Sequence, residues 1–320
     1  MSNIILYLDK LNKHMEKILL DLAPQDVEVK FLNPTIGRKG SLDEATSFFV
    51  TNYIVTKDII DKSPNLKLIQ RTGVGVDNVD VDYARKKGIP VSISKGFNSV
   101  SVAELAILSM LALYRRLVQL DGLTKKGEWH TWTYRHDSYV IKNKVVGVLG
   151  AGVIGREVIK RLNAFEANVI YYDPYRLKAE EEENLNVEYS SFDDLIKNSD
   201  IITLHLPWLE STRGIIGREQ FKQMKKSAIL INTARGPIVD QEALVDALQD
   251  GEIWGAACDV YSSEPADPND PLFNLDVPNL ITTPHIGAAT YDTYYDVFKF
   301  CINNTKRVEN GEEPLFIVNK

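Results

Sequence analysis

The chain has 320 residues, of which 44% are apolar and 25% are charged, values typical of a soluble globular protein with room for two domains. Its formal net charge of −7 lacks the basic excess that nucleic-acid binding requires, and it disfavours attachment to an anionic membrane. We therefore expect neither nucleic acid nor a membrane as a partner.

Apolar runs and helical patterns alternate through the first part of the chain. The first run is predicted as a strand rather than a signal peptide, because no basic segment precedes it. The predicted strands are Ile4–Leu8, Val27–Phe31, Phe48–Val50, Leu68–Gln70 and Val91–Ile93. The segments with helical spacing are Lys10–Leu22, Lys57–Ile60, Val81–Lys87 and the long Val102–Arg116, whose apolar stretch is too short to span a bilayer.

A second alternating series follows. Its predicted strands are Val145–Leu149, Val169–Tyr172, Ile201–Leu204, Ile229–Asn232, Gly255–Asp259 and Leu280–Thr282. A long helix, Ala288–Glu309, and a short apolar run, Leu315–Val318, close the chain. Continuous apolar strands are typical of parallel sheets with both faces covered, which predicts an α/β fold with two doubly wound sheets.

The order of these elements predicts two domains, one of them discontinuous. Because the terminal run can return to the first sheet, we expect residues 1–98 and 290–320 to form a flavodoxin-like substrate (lid) domain. Residues 99–289 are expected to form a Rossmann cofactor domain.

Neither the cysteines nor the acidic residues indicate a metal site. Cys258 and Cys301 form no CxxC pair, which is typical of a reducing compartment and predicts a cytoplasmic protein. The acids Glu180–Glu183 are consecutive, whereas a calcium loop alternates ligands with spacers, so we interpret them as a solvated face. The histidines show no metal-ligand spacing, and we predict no metal.

A glycine motif predicts a dinucleotide site. A strand leads directly into Gly150, Gly152 and Gly155, and a helical pattern at 156–165 follows. Gly150 permits the tight turn, Gly152 lets the backbone approach a pyrophosphate, and Gly155 lets the helix pack against the strand. We include Val153 and Ile154, at the expected helix N-terminus, among the cofactor-binding residues.

An acid after the second strand of this unit favours NAD. Asp173 lies where a carboxylate accepts hydrogen bonds from the adenosine ribose hydroxyls, and it repels a 2′-phosphate. Arg176 lies close enough to weaken this preference for NAD over NADP. The alternative is that Asp173 simply forms a turn before Pro174.

Three reactive side chains follow three further strands. Arg235 can bind a carboxylate, His285 can exchange a proton near neutral pH, and Glu264 can orient His285. The carboxyl ends of parallel strands meet at one edge of a sheet, so we expect all three in one crevice. Taken singly, Arg235 could form a surface salt bridge, Glu264 could cap a helix before Pro265, and His285 could be a loop histidine.

At these residues the sequence resembles the D-isomer-specific 2-hydroxyacid dehydrogenase family. The resemblance covers essentially the whole chain and is carried by Ile231–Gly236, Asp259–Pro265 and Thr283–Gly287. It implies that Arg235, Glu264 and His285 are catalytic, with Arg235 on the substrate carboxylate and His285 as general acid and base. It further implies hydride transfer between NAD(H) and a small D-2-hydroxy or 2-oxo acid.

The same resemblance implies further contacts. It places the Val74 and Gly75 amides on the substrate carboxylate and Asn98 at the start of the long helix, near the substrate. Val102 is implied to touch the nicotinamide and Asp259 its carboxamide. The remaining expected cofactor contacts are His205, Leu206, Pro207, Thr233, Ala234 and Gly287.

The resemblance leaves the substrate and the assembly open. The loop Val50–Tyr53 lacks the arginine that phosphoglycerate members carry, which puts a phosphorylated substrate in doubt. The alternatives are a short-type D-3-phosphoglycerate dehydrogenase and a non-catalytic, NAD-sensing protein like the co-repressor relatives. A homodimer is implied, and one hypothesis is that Trp132 or Arg135, within Trp129–Tyr139, shapes substrate choice in the partner's site; dimer packing is the alternative.

Overall fold

The computed structural model describes residues 3–275 and 277–320. The chain divides into two compact units, unit 1 with Met1–Asn98 and Thr290–Lys320, and unit 2 with Ser99–Ala289. Within the described residues, no helix is both long enough and apolar enough to cross a bilayer.

Unit 1 contains a parallel sheet whose strand order is β3-β2-β1-β4-β5-β6. Its strands are β1 (Asn3–Tyr7), β2 (Val27–Phe31), β3 (Arg38–Lys39), β4 (Ser47–Val50), β5 (Leu68–Arg71) and β6 (Val91–Ser92). Its helices are α1 (Lys13–Leu22), α2 (Lys57–Asp61), α3 (Val81–Lys86) and, after unit 2, α11 (Tyr291–Glu309). Apart from the short edge strand β3, this order is the flavodoxin-like one.

Two helices of unit 1 begin later than predicted, because a polar side chain caps each N-terminus. The Asn12 side chain accepts hydrogen bonds from the amides of His14 and Met15, so α1 begins at Lys13 rather than Lys10. Thr290 accepts one from the Thr293 amide, so α11 begins at Tyr291 rather than Ala288.

The C-terminal segment pairs with the sheet of unit 1. Ile317 forms an antiparallel bridge with Ser92, and the Val318 amide donates to the Val91 carbonyl at 2.9 Å. The apolar run after α11 therefore extends the edge of the sheet at β6.

Unit 2 contains a second parallel sheet, with strand order β13-β12-β11-β10-β7-β8-β9. Its strands are β7 (Val145–Leu149), β8 (Asn168–Tyr172), β9 (Glu188–Tyr189), β10 (Ile201–Leu204), β11 (Ile229–Asn232), β12 (Gly255–Cys258) and β13 (Leu280–Thr282). Counted from β7, the order is the Rossmann order 3-2-1-4-5-6 with one added strand, which confirms the predicted fold class.

The helices of unit 2 cover both faces of this sheet. They are α4 (Ser99–Tyr114), α5 (Leu117–Lys125), α6 (Val153–Ala164), α7 (Ala179–Leu185), α8 (Phe192–Asn198), α9 (Arg218–Gln223) and α10 (Gln241–Gln249). One apolar core includes Phe221, Leu230 and Leu244, and the other includes Met110, Val148 and Ile229. Both cores fix the strands, so the loops at their carboxyl ends start from rigid positions.

Candidate active site

The glycine turn after β7 has little space for side chains. Gly150 has a φ of 98°, and a Cβ on it would lie 2.6 Å from the His205 carbonyl oxygen. A Cβ on Gly155 would lie 2.0 Å from the Gly150 carbonyl oxygen. The chain can therefore make this turn, with α6 packed directly against it, only with glycine at both positions.

Gly152 behaves differently, because it faces open space. It is the N-cap of α6, and apart from Gly152 itself and its two chain neighbours no described residue has an atom within 4 Å of the position that its Cβ would take. Since glycine brings no side chain to cap the helix, the amides of Val153 and Ile154 in the first turn are available to an anion. Gly152, Val153 and Ile154 together form an open helix N-terminus whose amides suit an anion.

Asp173 follows β8 and lies beside the glycine turn. Its Oδ2 accepts a hydrogen bond from the Ala151 amide and its Oδ1 one from the Tyr175 amide, both at 2.9 Å. An ionised carboxylate has about four lone-pair sites, so each oxygen keeps capacity for a ribose hydroxyl. Asp173 does form the turn that was considered as its alternative role. Forming this turn still leaves acceptor sites on the carboxylate for ribose.

His205, Leu206 and Pro207 follow β10, on the far side of the same turn. The His205 Nε2 is 2.9 Å from the Thr203 hydroxyl, and its Nδ1 is buried without a hydrogen-bond partner among the described residues. Burial lowers the pKa of His205 to about 3, so the imidazole is neutral. Leu206 is buried and Pro207 is exposed.

Asn232, at the end of β11, shapes the turn that carries Thr233, Ala234 and Arg235. Its side chain accepts from the Ala234 amide at 3.1 Å and donates to the Arg235 carbonyl at 3.0 Å. The Thr233 hydroxyl is buried without a hydrogen-bond partner in the described part of the chain. Arg235 is half-buried, and its Nη1 donates to the Ala234 carbonyl at 2.7 Å.

Asp259, after β12, holds the loop that carries His285. Its Oδ1 accepts from the Thr283 hydroxyl at 2.6 Å and the Ile286 amide at 2.8 Å, and its Oδ2 accepts from the Gly287 amide at 2.8 Å. A Cβ on Gly287 would lie 3.1 Å from the Asp259 Oδ2 and 3.3 Å from the Val102 Cγ2. Three of the predicted cofactor residues, Val102, Asp259 and Gly287, are therefore neighbours within unit 2.

Glu264 and His285 form a hydrogen-bonded pair. The Glu264 Oε2 is 2.5 Å from the His285 Nδ1, and both side chains are partly exposed. Burial acts to raise the pKa of Glu264, but the hydrogen bond and charge of His285, the Tyr261 amide and the charge of Arg235 hold that pKa below its ordinary value. Glu264 is thus ionised, Arg235 lies close enough to act on it, and among the described residues no hydrogen bond occupies the Nε2 of His285.

The predicted substrate residues Val74, Gly75 and Asn98 belong to unit 1. Val74 and Gly75 lie in the loop after β5, where the Arg71 Nε donates to the Gly75 carbonyl at 2.7 Å. Asn98 is the residue directly before α4. The candidate catalytic residues therefore belong to unit 2, whereas these three candidate substrate residues belong to unit 1.

Some positioning residues gave no signal in the sequence. Tyr261 is buried, and its hydroxyl donates to the carbonyls of Cys258 and Thr283, which joins the loop after β12 to the loop of His285. A Cβ on Gly236 would lie 2.0 Å from the Tyr261 carbonyl oxygen, so the loops after β11 and β12 touch. Asn232 and Thr283 stand inside the family segments, but only their contacts show what they do.

The residues of unit 2 fit a dinucleotide. The open N-terminus of α6, the Asp173 carboxylate, and the unpartnered Thr233 hydroxyl and His205 Nδ1 offer the donors and acceptors that such a cofactor requires. Across residues 3–275 and 277–320, no three His, Cys, Asp or Glu side chains are grouped in a way that could hold a metal ion.

Known proteins resemble this chain over most of its length. A D-3-phosphoglycerate dehydrogenase of Methanocaldococcus jannaschii is 40% identical over 98% of this chain and 59% of its own length. A glyoxylate reductase of Thermofilum pendens is 39% identical over 83% of this chain and 78% of its own. A solved D-lactate dehydrogenase of Aquifex aeolicus, complexed with NAD and lactic acid, is 29% identical with a TM-score of 0.82, and the match covers 96% of each chain.

The family follows from a match to a domain model. The chain spans only about half of the phosphoglycerate dehydrogenases that it matches, 45% of one from Archaeoglobus fulgidus and 59% of the one above. Residues 107–287 match the family model described as D-isomer specific 2-hydroxyacid dehydrogenase, NAD binding domain. The chain therefore belongs to this family of NAD-dependent dehydrogenases, and unit 2 carries its NAD-binding domain.

Proposed function

We propose that the protein interconverts a small 2-oxo acid and the corresponding D-2-hydroxy acid, with NAD(H) as the redox partner. The observation that carries the proposal is the Glu264–His285 pair. The positive charge of Arg235 also acts on the Glu264 carboxylate and helps to lower its pKa. A proton donor and a carboxylate-binding cation in one site are what reduction of a 2-oxo acid needs.

Bound NADH supplies the hydride that reduces C2. Arg235 binds the substrate carboxylate, because its planar fork matches two carboxylate oxygens. Protonated His285 donates its Nε2 proton to the carbonyl oxygen, which becomes the hydroxyl. Ionised Glu264 accepts a hydrogen bond from Nδ1, which orients the ring and stabilises its protonated form. In the oxidative direction, His285 accepts the proton back.

The loop Val50–Tyr53 favours an unphosphorylated substrate. The Asp9 carboxylate accepts hydrogen bonds from the amides of Thr51, Asn52 and Tyr53, at 2.7, 2.8 and 2.8 Å. The amides that could bind a phosphate are therefore used internally. The Asp9 charge is accompanied by that of Arg71, whose Nη1 donates to the Val50 and Thr51 carbonyls of the same loop, so Asp9 and Arg71 together add no net positive charge there. This supports a substrate such as pyruvate, glyoxylate or hydroxypyruvate over phosphohydroxypyruvate.

Because the relatives are named for different substrates, the substrate is tested with a panel of 2-oxo acids. NADH oxidation is followed with pyruvate, glyoxylate, hydroxypyruvate, phenylpyruvate and phosphohydroxypyruvate. We expect turnover of the unphosphorylated acids and formation of the D-hydroxy acid, checked by chiral chromatography. Selective turnover of phosphohydroxypyruvate would instead support the short-type phosphoglycerate dehydrogenase. No turnover of any of them would support the NAD-sensing protein.

His285→Ala tests the proton transfer. We expect kcat to fall by about 10²–10⁴, the usual contribution of a general acid, while NADH still binds. His14→Ala, an exposed histidine of α1, is the matched control and should leave kcat unchanged. Near-normal turnover of His285→Ala would contradict the assignment.

Further assignments are part of the same proposal. We propose that the Val74 and Gly75 amides bind the substrate carboxylate and that Asn98 lies near the substrate. We also propose that the protein is cytoplasmic and forms a homodimer. Sedimentation of the purified protein tests the dimer, and fractionation of cells tests the location.

A further inference from the structure

Arg176 is a cation next to the ribose-binding acid. It follows Asp173 by three residues, in the loop between β8 and α7. In dinucleotide-binding folds, an arginine near this acid is what accommodates the 2′-phosphate of NADP. What Arg176 contacts therefore bears directly on cofactor choice.

In this structure the Arg176 guanidinium is bound to Glu182, on α7. Its Nε donates to the Glu182 Oε1 at 2.9 Å and its Nη2 to the Oε2 at 3.0 Å. This is the two-pronged geometry in which arginine binds a carboxylate most strongly. The plane of the guanidinium lies over the Tyr189 ring, with Cζ 4.8 Å from the ring centre.

Glu182 is the fixed member of the pair. Its side chain is 14% exposed, against 61% for Arg176. The buried Tyr171 hydroxyl donates to the Glu182 Oε1 at 2.6 Å and accepts from the Leu177 amide at 2.9 Å. Burial raises the pKa of Tyr171 to about 12, so it remains a donor, and the bonds from Arg176 and Tyr171 keep the pKa of Glu182 below its ordinary value. An anchored carboxylate thus holds a more exposed arginine.

The neighbouring acid on α7 repeats this arrangement. The Arg156 Nη1 is 2.6 Å from the Glu181 Oε1, and the Arg156 Nε donates to the Ala151 carbonyl in the glycine turn. The acidic run Glu180–Glu183 is therefore more than a solvated face, because two of its members pair with the arginines that flank the cofactor turn.

We propose that Glu182 is a cofactor-specificity residue, which keeps Arg176 paired and away from a 2′-phosphate. Asp173 repels that phosphate, and Glu182 withholds the cation that would otherwise attract it. The inference rests on the proposed NAD-dependent function, since it assigns a residue to the same cofactor site.

Glu182→Gln tests the proposal, read out by calorimetric binding of ADP-ribose and of its 2′-phosphate derivative. Glutamine keeps an oxygen for Tyr171 but loses the charge that pairs with Arg176. We expect the 2′-phosphate derivative to bind about tenfold more tightly, the effect of one gained charge-assisted hydrogen bond. ADP-ribose binding should not change, which also shows that the variant is folded.

Two further variants separate the arginine from the general loss of charge. Glu183→Gln removes the same charge from an exposed position of α7 and should leave both affinities unchanged. Adding Arg176→Gln to Glu182→Gln should abolish the gain. An equal gain in Glu183→Gln, or a gain that survives Arg176→Gln, would overturn the proposal, as would unchanged affinities in Glu182→Gln.

Arg176→Gln alone tests the proposal even if Glu182→Gln does not fold. We expect it to leave binding of the 2′-phosphate derivative unchanged, because the arginine is already paired; weaker binding would overturn the proposal. These measurements need no turnover. If the protein binds ADP-ribose but reduces no 2-oxo acid, the proposed function fails while the specificity test still gives its own answer.

Discussion

Asp259→Asn should loosen the loop that carries His285. The carboxylate accepts three hydrogen bonds from this loop, and its residue is only 3% exposed. An asparagine can keep the two bonds on one oxygen, to Thr283 and Ile286, but it then points an NH₂ group at the Gly287 amide. A buried donor loses its acceptor, and the remaining bonds lose their charge.

The size of the effect follows from these contacts. Losing one charge-assisted hydrogen bond costs about 1.5–3 kcal/mol, and weakening two others brings the total to about 2–4 kcal/mol. The loop also holds His285 at a φ of 54°, in the left-handed region, which costs about 1–2 kcal/mol that the Asp259 contacts help to offset. The substitution therefore weakens the Asp259 contacts of the loop, while the bonds of Glu264 to His285 and of Tyr261 to the Thr283 carbonyl remain.

Hydrogen exchange measures this local opening. At about 1.4 kcal/mol per factor of ten, amides in the peptide 283–289 should exchange about 30- to 700-fold faster in Asp259→Asn. Thr283→Val, which removes one donor and no charge, should give a smaller increase. Asp267→Asn, an exposed acid of the same unit, is the control and should give none. Unchanged exchange in Asp259→Asn would refute the role assigned to these contacts.

Two other outcomes follow from the described contacts, and a third tests the hypothesis that Arg135 shapes substrate choice. Glu264→Gln should lower kcat about tenfold to a hundredfold with little change in NADH affinity, because the protonated His285 loses its carboxylate; equal kcat would contradict this. Glu16 is buried, and although burial raises its pKa, the amides of Thr35, Ile36 and Gly37 hold that pKa below 4.5. The contribution of Glu16 to the free energy of unfolding is therefore present above about pH 4.5 and is lost as the pH falls below it. In urea titrations, the free energy of unfolding of Glu16→Gln should fall less on acidification than that of the unchanged protein. Arg135→Ala should change the ratio of kcat/KM values across the substrate panel, and an unchanged ratio would favour dimer packing.

The buried strands could be predicted from the sequence because both of their faces are apolar. Val145–Leu149 and Ile201–Leu204 were predicted with the bounds that the structure shows. Val27–Phe31 was too, although in this strand Glu28 and Lys30 alternate with the buried apolar residues. The short edge strands Arg38–Lys39 and Glu188–Tyr189 were not, because an edge strand of two polar or charged residues has no apolar pattern. Helix α7 was missed for a related reason, since its acids hide any apolar face.

For the candidate site, the sequence predicts which residue types follow which strands, but not the contacts between them. Arg235, Glu264 and His285 each follow a strand, and parallel strands bring their carboxyl ends together. The 2.5 Å contact between Glu264 and His285 depends on the paths of two loops, which no sequence spacing determines. The same holds for Tyr261, whose hydroxyl bridges those loops from a position with no recognisable motif.

Asp259 illustrates a residue for which the family resemblance and the described contacts indicate different roles. The family resemblance assigns it to the cofactor carboxamide, whereas its described contacts are with the His285 loop. Three accepted hydrogen bonds leave about one of its four lone-pair sites for a ligand, so both roles are compatible. The two roles predict different effects of Asp259→Asn. Loss of a carboxamide contact would lower the affinity for NADH more than the affinity for ADP-ribose, because ADP-ribose has no nicotinamide. Loss of the loop contacts would instead speed amide exchange in the absence of any ligand. Because most of the acceptor sites serve the loop, we expect faster exchange with a much smaller difference between the two ligands.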